Sequence, residues 1–394
     1  MTIYEESVAL HKKLGGKLEV TSKVPIRDRH DLSLAYTPGV ARVCEEIAKD
    51  VEKASELTIK KNTVAVVSDG SAVLGLGNIG AHAAIPVMEG KAVLFKEYAG
   101  LDAFPICIKS QNTIELISII RNISPVFAGI NLEDIASPRC FEIETALQDL
   151  GIPVFHDDQH GTAIVVLAAL INAAKVTGKS LKDMTIVING GGAAGTAIAE
   201  LLLALGVEAP NHEAIHDILV CDTKGIISET RDDVAEFPEK IRLASKTNKF
   251  DRNGTLTDAM TGADVFIGVS VAGVVTPEMV RKMNPKSIVL AMANPVPEIM
   301  PDEAVAGGAY IVGTGRSDFP NQVNNVLAFP GVFRGAIDAK AKVITRHMKL
   351  AAAFALAEAL PNPTPEEIIP SVLDKSIAHK VAAAVAKAWE ENPI

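Results

Sequence analysis

The sequence predicts an α/β protein with two layered units and a helical carboxyl-terminal segment. Short β-branched runs alternate with longer small-apolar segments along most of the chain, the pattern of parallel strands crossed by helices. A strand, a glycine-rich turn and a helix follow one another directly between Met184 and Leu205. Of the 394 residues 48% are apolar but only 4% aromatic, so the cores are built from Ala, Val, Ile and Leu, which suits α/β layers better than a β-sandwich. A chain of this length has room for two cores.

Charge and cysteine usage bound the function. The formal net charge is −10 and there is no basic run, which argues against nucleic acid as a partner. Cys44, Cys107, Cys140 and Cys221 are dispersed, without a C-x-x-C pair, and read as buried small residues of a reducing compartment. Met1 to Lys17 is mixed and charged, unlike a signal peptide. The longest apolar stretch, Ala163 to Ala174, falls short of a membrane span. The expectation is a soluble cytoplasmic protein with no membrane partner.

In chain order, Glu5 to Leu14 reads as a helix ended by Gly15-Gly16. Pro38 opens a second helix over Ala41 to Lys49, with Tyr36 in the irregular segment before it. Asn62 to Ser68 is a strand, and Asp69-Gly70 a turn. Gly75-Leu76-Gly77-Asn78-Ile79-Gly80 matches G-x-G-x-x-G, yet no strand ending in an acid follows at the distance a nucleotide site needs. Close backbone packing is the better reading, with the motif opening a helix that carries Ala83 to Gly90. Lys91 stands at the edge of the apolar run Ala92 to Phe95. It either snorkels to solvent, as Lys96 past that run would, or serves as a desolvated base. Ile106 to Ile108, Thr113 to Arg121 and Val126 to Leu132 continue the alternation.

Two acidic pairs stand out. Glu133-Asp134 closes the run ending at Leu132, and Asp157-Asp158 follows the strand Ile152 to Phe155, just before a packed helix over Gly161 to Ala174. Open α/β sheets bind ligands at the carboxyl ends of their strands. If those two strands are neighbours, the four carboxylates make an oxygen-rich site suited to Mg²⁺ or Mn²⁺. The plainer alternative is a pair of helix N-caps. His156 and His160 also resemble the H-E-x-x-H zinc pattern, but that pattern needs both imidazoles on one helix, and here the first follows a strand.

The second half is clearer. The strand Met184 to Asn189 runs into Gly190-Gly191-Gly192-Ala193-Ala194-Gly195 and a helix from Thr196 to Leu205. Gly190, Gly192 and Gly195 match the dinucleotide fingerprint in its strand–turn–helix context, with Ala193 and Ala194 inside the turn. A second strand, Ile218 to Asp222, ends in an acid placed to grip the ribose hydroxyls of NAD. Asp264 to Val269, Ser287 to Met292 and Ala309 to Val312 are further strands, ending in polar or small loops that include Asn294-Pro295. After Asn324-Asn325 and Phe329-Pro330-Gly331 the chain is Ala-rich and helical, through His347 to Leu360 and Ser371 to Trp389.

Assembled, these residues resemble a malic enzyme of the short prokaryotic type. The likeness runs from about Lys13 to about Leu360 and rests on several anchors. They are Ser33 to Ala41, Gly75 to Gly80, Leu132-Glu133-Asp134, Phe155 to Asp158 with Gly161-Thr162, Asn189 to Gly195, and Asn324-Asn325 with Phe329-Pro330-Gly331. The resemblance implies oxidation and decarboxylation of L-malate to pyruvate and CO₂ with NAD, or NADP, and a divalent metal. It implies Glu133, Asp134 and Asp158 as metal ligands, Lys91 as the base at the C2 hydroxyl, Asp157 as its partner, and Tyr36 as the acid at C3. Asn294 and Asn325 match substrate-binding amides, and Asn294 also borders the cofactor. The expected organisation is a mixed α/β catalytic domain over 1–156, a Rossmann-type domain over 157–317, and a helical segment over 318–394 packing on the catalytic domain, in a homodimer. One departure is visible: where larger relatives carry an arginine after the Asp-Gly turn, this chain reads Ser71-Ala72-Val73. Backbone amides near Pro38-Gly39 are one alternative holder for the C1 carboxylate. An NAD-sensing regulatory module would use only the Gly190 to Asp222 unit and leave the acid pairs unexplained; an amino-acid dehydrogenase would need neither metal nor CO₂ release.

Overall fold

Runs such as Val64-Ala65-Val66-Val67 and Ile186-Val187-Ile188 are apolar on both faces, which only a sheet covered on both sides can bury. In the computed structural model, which describes residues 2–393, they form two such sheets. The first holds β1 (Thr63–Ser68), β2 (Asp102–Cys107), β3 (Gly129–Leu132) and β4 (Val154–His156) in the order β2-β1-β3-β4, all parallel. The second holds β5 (Thr185–Asn189), β6 (Asp217–Asp222), β7 (Gly225–Ile226), β8 (Val265–Gly268), β9 (Ile288–Ala291) and β10 (Ile311–Thr314). Its order is β10-β9-β8-β5-β6-β7, parallel except for the short edge strand β7. Strand order reverses between β5 and β8, the crevice where doubly wound sheets bind nucleotides.

Several elements differ from the sequence reading. The helix after the first glycine motif runs unbroken from Gly80 to Ala99, so Ala92 to Phe95 is its last turns and Lys91 lies in its interior. β2 begins at Asp102 rather than near Ile106; Pro105 is accommodated because β2 is an edge strand. A short helix, Arg29–Ala35, precedes Tyr36. The helix expected from Gly161 begins at Asp157, immediately after β4, with His156 as its N-cap residue.

That Asp157–Thr177 helix organises the interior. Ala163 to Leu170 is buried without interruption, and one apolar cluster extends from Val64 and Val66 of β1 through this helix to Ile186 and Ile188 of β5. By length and composition it could cross a membrane, but 72% of its apolar window is buried inside the protein. Of the terminal helices, Arg346–Glu358 packs on it, and Phe329–Asp338 and Ser376–Glu391 pack on each other, the latter also against Arg346–Glu358. Asn172 of the buried helix donates to the carbonyls of Ala357 and Ile368. Phe333 meets Phe95 and Phe155 edge-on, with ring centroids 5.3 and 5.8 Å away. Replacing Phe333 by Ala should therefore loosen both the first sheet and the terminal helices, at about 3–5 kcal/mol in denaturant unfolding. A loss under about 1 kcal/mol would show that this contact does not hold them together.

Candidate active site

β3 pairs with β4 so that Leu132 lies opposite His156. The residues that follow, Glu133-Asp134 and Asp157-Asp158, therefore leave the sheet side by side at its carboxyl edge. Neither aspartate of the second pair is an N-cap; both sit in the first turn of the Asp157–Thr177 helix, so the capping alternative falls away. One carboxylate oxygen from each of Glu133, Asp134 and Asp158 lies within 4.8 Å of the others. Glu133 and Asp134 are buried, Asp158 only partly. Asp158 Oδ2 accepts the Asp134 amide at 2.8 Å, and Asn131 Nδ2 holds Glu133 Oε2 at 2.8 Å. Asp134 Oδ2 is buried without a partner, and such an orphaned acceptor beside two more carboxylates fits a divalent cation.

Lys91 enters from the Gly80–Ala99 helix and is only 7% exposed. Its Nζ lies 2.5 Å from Asp157 Oδ2, 2.8 Å from Glu133 Oε1, and 4.3 Å from the ring centroid of Phe329. The snorkelling alternative is thereby excluded. Burial works to lower its pKa, but Asp157, Glu133 and Asp158 outweigh burial and hold the ammonium above the ordinary lysine range. The surplus of acid shows at Asp134, pushed up to about 9 by burial first and then by the charges of Asp158 and Glu133. Gly161 is what lets Asp157 fold back toward Lys91: a Cβ there would fall 1.8 Å from Asp157 Oδ1 and 3.2 Å from the Cβ of Asn325. Asn325 is thus brought against the first turn of the acid-bearing helix.

The first glycine motif serves packing. A Cβ on Gly75 would fall 1.9 Å from the Asn294 carbonyl, so this loop meets Asn294-Pro295 across the cleft. The second motif is built for a nucleotide. Gly195 has no room for a side chain against the Gly190 carbonyl, at 1.7 Å. Gly192, with open space above it, is the N-cap residue of the Ala193–Leu203 helix, whose first residues are Ala193 and Ala194. Free amides at such a helix start donate to phosphate oxygens. Asp222 ends β6 as expected, but both its oxygens are engaged. Arg231 reaches them at 2.6 and 2.9 Å, and Lys240 reaches Oδ2 at 2.7 Å.

Some residues are not joined to the cluster, and others were not foreseen. Tyr36 is 66% exposed beyond the Arg29–Ala35 helix, and among the described residues its hydroxyl bonds to no member of the site. The Ser71-Ala72-Val73 segment is occupied: Ser71 Oγ donates to Asp69 Oδ1 and accepts the Ala136 amide, while Arg139 pairs with the buried Asp69 at 3.0 Å. His160 is bound to Glu144 at 2.9 Å, which removes it from a zinc pair with His156. Glu144 also accepts the His156 amide at 3.0 Å. Although burial pushes Glu144 up, His160, Lys349 and His156 outweigh it and hold the carboxyl at about 2. Only an acid on the otherwise apolar face of Cys140 and Ile143 could have signalled it.

Comparison with known proteins gives one answer. The family model "Malic enzyme, NAD binding domain" matches residues 159–389, and "Malic enzyme, N-terminal domain" matches 15–117. The bifunctional malic/malolactic enzyme of Bacillus subtilis is 52% identical over 397 residues, spanning 100% of this chain and 95% of its own. An NADP-dependent malic enzyme of Escherichia coli is 46% identical over 96% of this chain, which spans 51% of that protein. The crystal structure of an NAD-dependent malic enzyme from Thermotoga maritima superposes with a TM-score of 0.91 at 48% identity, covering 96% of this chain and 98% of that one.

The acid cluster predicts a pH-dependent cost. Asp134 keeps its proton in the folded protein up to about pH 9, whereas in the unfolded chain it ionises in the ordinary aspartate range, at about 3.9. The folded state binds the extra proton across that window, so this group's contribution to stability falls as pH rises. In metal-free buffer Asp134→Asn should be more stable than the parent at pH 8 by about 1 kcal/mol or more, with the gap closing toward pH 4. Urea unfolding at both pH values measures it; no gap at pH 8 would mean the carboxylate ionises in place without penalty.

Proposed function

The chain belongs to the malic enzyme family, whose reaction is the oxidative decarboxylation of L-malate to pyruvate and CO₂ with reduction of NAD(P)⁺, and we propose that its Lys91-centred acid cluster carries that chemistry. The observation behind the proposal is the Lys91 amine held between Asp157 and Glu133, beside three carboxylates able to take a metal. Glu133, Asp134 and Asp158 would hold Mg²⁺ or Mn²⁺. When bound, the cation would polarise the C2 oxygen of malate and draw carboxylate charge away from Lys91, easing its deprotonation. Lys91 would take the C2 hydroxyl proton, and a bound nicotinamide would supply the acceptor for the C2 hydrogen and its electron pair. Asp157 orients the amine. The C3–C4 bond would then break with its electron pair passing to the C2 oxygen, CO₂ would depart, and the enolate would take a proton at C3 from Tyr36, which is reprotonated from solvent. Asn294 and Asn325 orient the substrate, Asn294 at the border of the cofactor.

NAD is the proposed carrier, with NADP accepted. Asp222 stands where the ribose hydroxyls would bind, which disfavours a 2′-phosphate, but Arg231 and Lys240 offset its charge. Cys140 and Cys221 are buried as expected, whereas Cys44 is exposed and Cys107 only partly covered; all four are free thiols, which fits a reducing compartment, and the cytoplasm is the proposed location. A homodimer is also proposed. The helices Ile3–Leu14, Arg29–Ala35 and Gly39–Lys49 contain no buried residue, and Ile3, Tyr4, Leu14, Leu34 and Tyr36 are exposed on them or beside them. Helices with no buried residue and several exposed large apolar side chains call for a partner. A second copy of the chain, seated there, would bring Tyr36 to a neighbouring site.

Two measurements test this reading. Purified protein should convert malate to pyruvate with NAD⁺ and Mn²⁺ and lose that activity in excess chelator, with lactate assayed alongside because the Bacillus relative is described as malolactic too. Lys91→Ala should lower the rate by about 10²–10⁴ while still binding nucleotide. Full activity in chelator would sink the metal site, and kcat/KM favouring NADP⁺ would sink the carrier assignment. The second measurement mixes two inactive proteins, Tyr36→Phe and Lys91→Ala, by co-expression. If Tyr36 serves the partner's site, random pairing restores about a quarter of wild-type sites. If it serves its own chain, every site carries a defect and nothing is restored.

A further inference from the structure

Under the nucleotide crevice lies a carboxylate that nothing above has used. Glu298 follows Asn294-Pro295 in the loop after β9 and is fully buried. Among the described residues its hydrogen-bond partners are all uncharged. Oε1 accepts the Ser270 amide at 2.7 Å and the Ser270 hydroxyl at 3.2 Å, and Oε2 accepts the Ala293 amide at 3.0 Å. Ser270 Oγ in turn accepts Asn189 Nδ2 at 2.8 Å. The chain from Asn189 through Ser270 and Glu298 to Ala293 thus links the carboxyl ends of β5, β8 and β9, three neighbours in the sheet. The backbone follows the same path, with Glu298 accepting the Val275 amide at 3.0 Å and Pro297 the Gly273 amide at 3.2 Å. Gly268 makes the approach possible, since a Cβ there would lie 2.3 Å from Glu298 Cδ.

A buried carboxylate without a cation is costly to keep unless its acceptors are filled by fixed donors. Here three donors fill it, and they belong to the loops that border the cofactor crevice. Ala293 immediately precedes Asn294, and Asn189 immediately precedes Gly190, the first glycine of the phosphate loop. Asn294 is further confined between Gly75 and Gly315, neither of which could carry a side chain without meeting it.

We propose that Glu298 is a positioning residue that fixes Asn294 and the Ser270 loop at one height above the sheet, so that nicotinamide and substrate are held together. The role rests on the reading of Asn294 given above. Glutamine is the sharp probe, because it keeps the volume but turns one acceptor into a donor facing either the Ser270 or the Ala293 amide. A purely structural loss would reduce the fraction of active protein, lowering kcat and leaving KM and dissociation constants unchanged. Positioning predicts the opposite split.

The test compares Glu298→Gln, Ser270→Ala and Asn294→Ala with the parent. NADH affinity is measured by calorimetry, malate KM by steady-state kinetics with Mn²⁺, and Mn²⁺ affinity by electron paramagnetic resonance. Glu298→Gln should raise the NADH dissociation constant and the malate KM by about tenfold, with Mn²⁺ affinity within twofold of the parent. Ser270→Ala should move both in the same direction by a smaller factor, and it decides the question should Glu298→Gln not fold. Unchanged NADH affinity and KM in folded Glu298→Gln, beside a weakened Asn294→Ala protein, would overturn the positioning role alone. An unaffected Asn294→Ala protein would instead remove Asn294 from the site, whatever Glu298 does.

Discussion

A single ammonium set against a surplus of carboxylates governs this molecule. Pairing β3 with β4 in parallel leaves Glu133, Asp134, Asp157 and Asp158 at one sheet edge, where three of them are buried. Like charges at such separations in a poorly solvated site cannot all stay ionised without a counterion. Lys91 supplies one charge, through contacts of 2.5 and 2.8 Å. Much of the surrounding structure serves that contact. The Gly80–Ala99 helix is unbroken where the sequence suggested an end, which places Lys91 on its buried side. Phe329 closes the space behind the amine, and the absence of a side chain at Gly161 leaves the path by which Asp157 reaches it.

The same helix that begins with the acids also ties the two sheets together. Asp157 and Asp158 are its first residues, and its later turns share one core with β1 and β5. The proposed proton-transfer groups on its first turn and the strand that leads into the phosphate loop are therefore carried on elements that cannot slide independently. Packing without side chains repeats this coupling. Gly75 lies against Asn294, and Gly161 against Asn325. The first contact brings a loop of the first sheet, and the second the acid-bearing helix, to a residue proposed to touch the reactants. Hydride transfer is sensitive to sub-ångström placement, and glycine contacts of this kind leave little slack.

What could be read from the sequence follows from how local each signal is. The fingerprint from Asn189 to Gly195 and the acid at Asp222 were legible because strand, turn and helix are contiguous there, and each glycine answers a local steric demand. The adjacency of the two acid pairs was legible only as a condition, since the partner of a parallel strand lies a crossover away. The structure meets that condition. Lys91 was ambiguous because Gly90 mimics a helix stop, and nothing nearby in sequence says that Glu133 and Asp157 wait on the other side. Arg231, Lys240, Glu144 and Glu298 were missed for a common reason: each acts on a residue from another element, without a period or motif of its own. Asp222 looked like a free carboxylate and is a doubly paired one.

Charge balance at the acid cluster links protonation, metal and substrate. Four carboxylates and one ammonium leave a net charge of about −3 if all are ionised, and Asp134, pushed up to about 9, relieves part of it by keeping its proton. A divalent cation held by Glu133, Asp134 and Asp158 would relieve it instead, and the two are alternatives because both use the Asp134 oxygens. Taking up the cation would therefore expel a proton, and affinity for it would rise with pH. A dicarboxylate faces the same arithmetic. Malate approaching the metal-free cluster meets like charge on every side, whereas malate paired with a dication is neutral as a unit. Electrostatics alone would thus make metal and substrate binding mutually reinforcing at the proposed site, before any particular contact to either carboxylate of the substrate is considered.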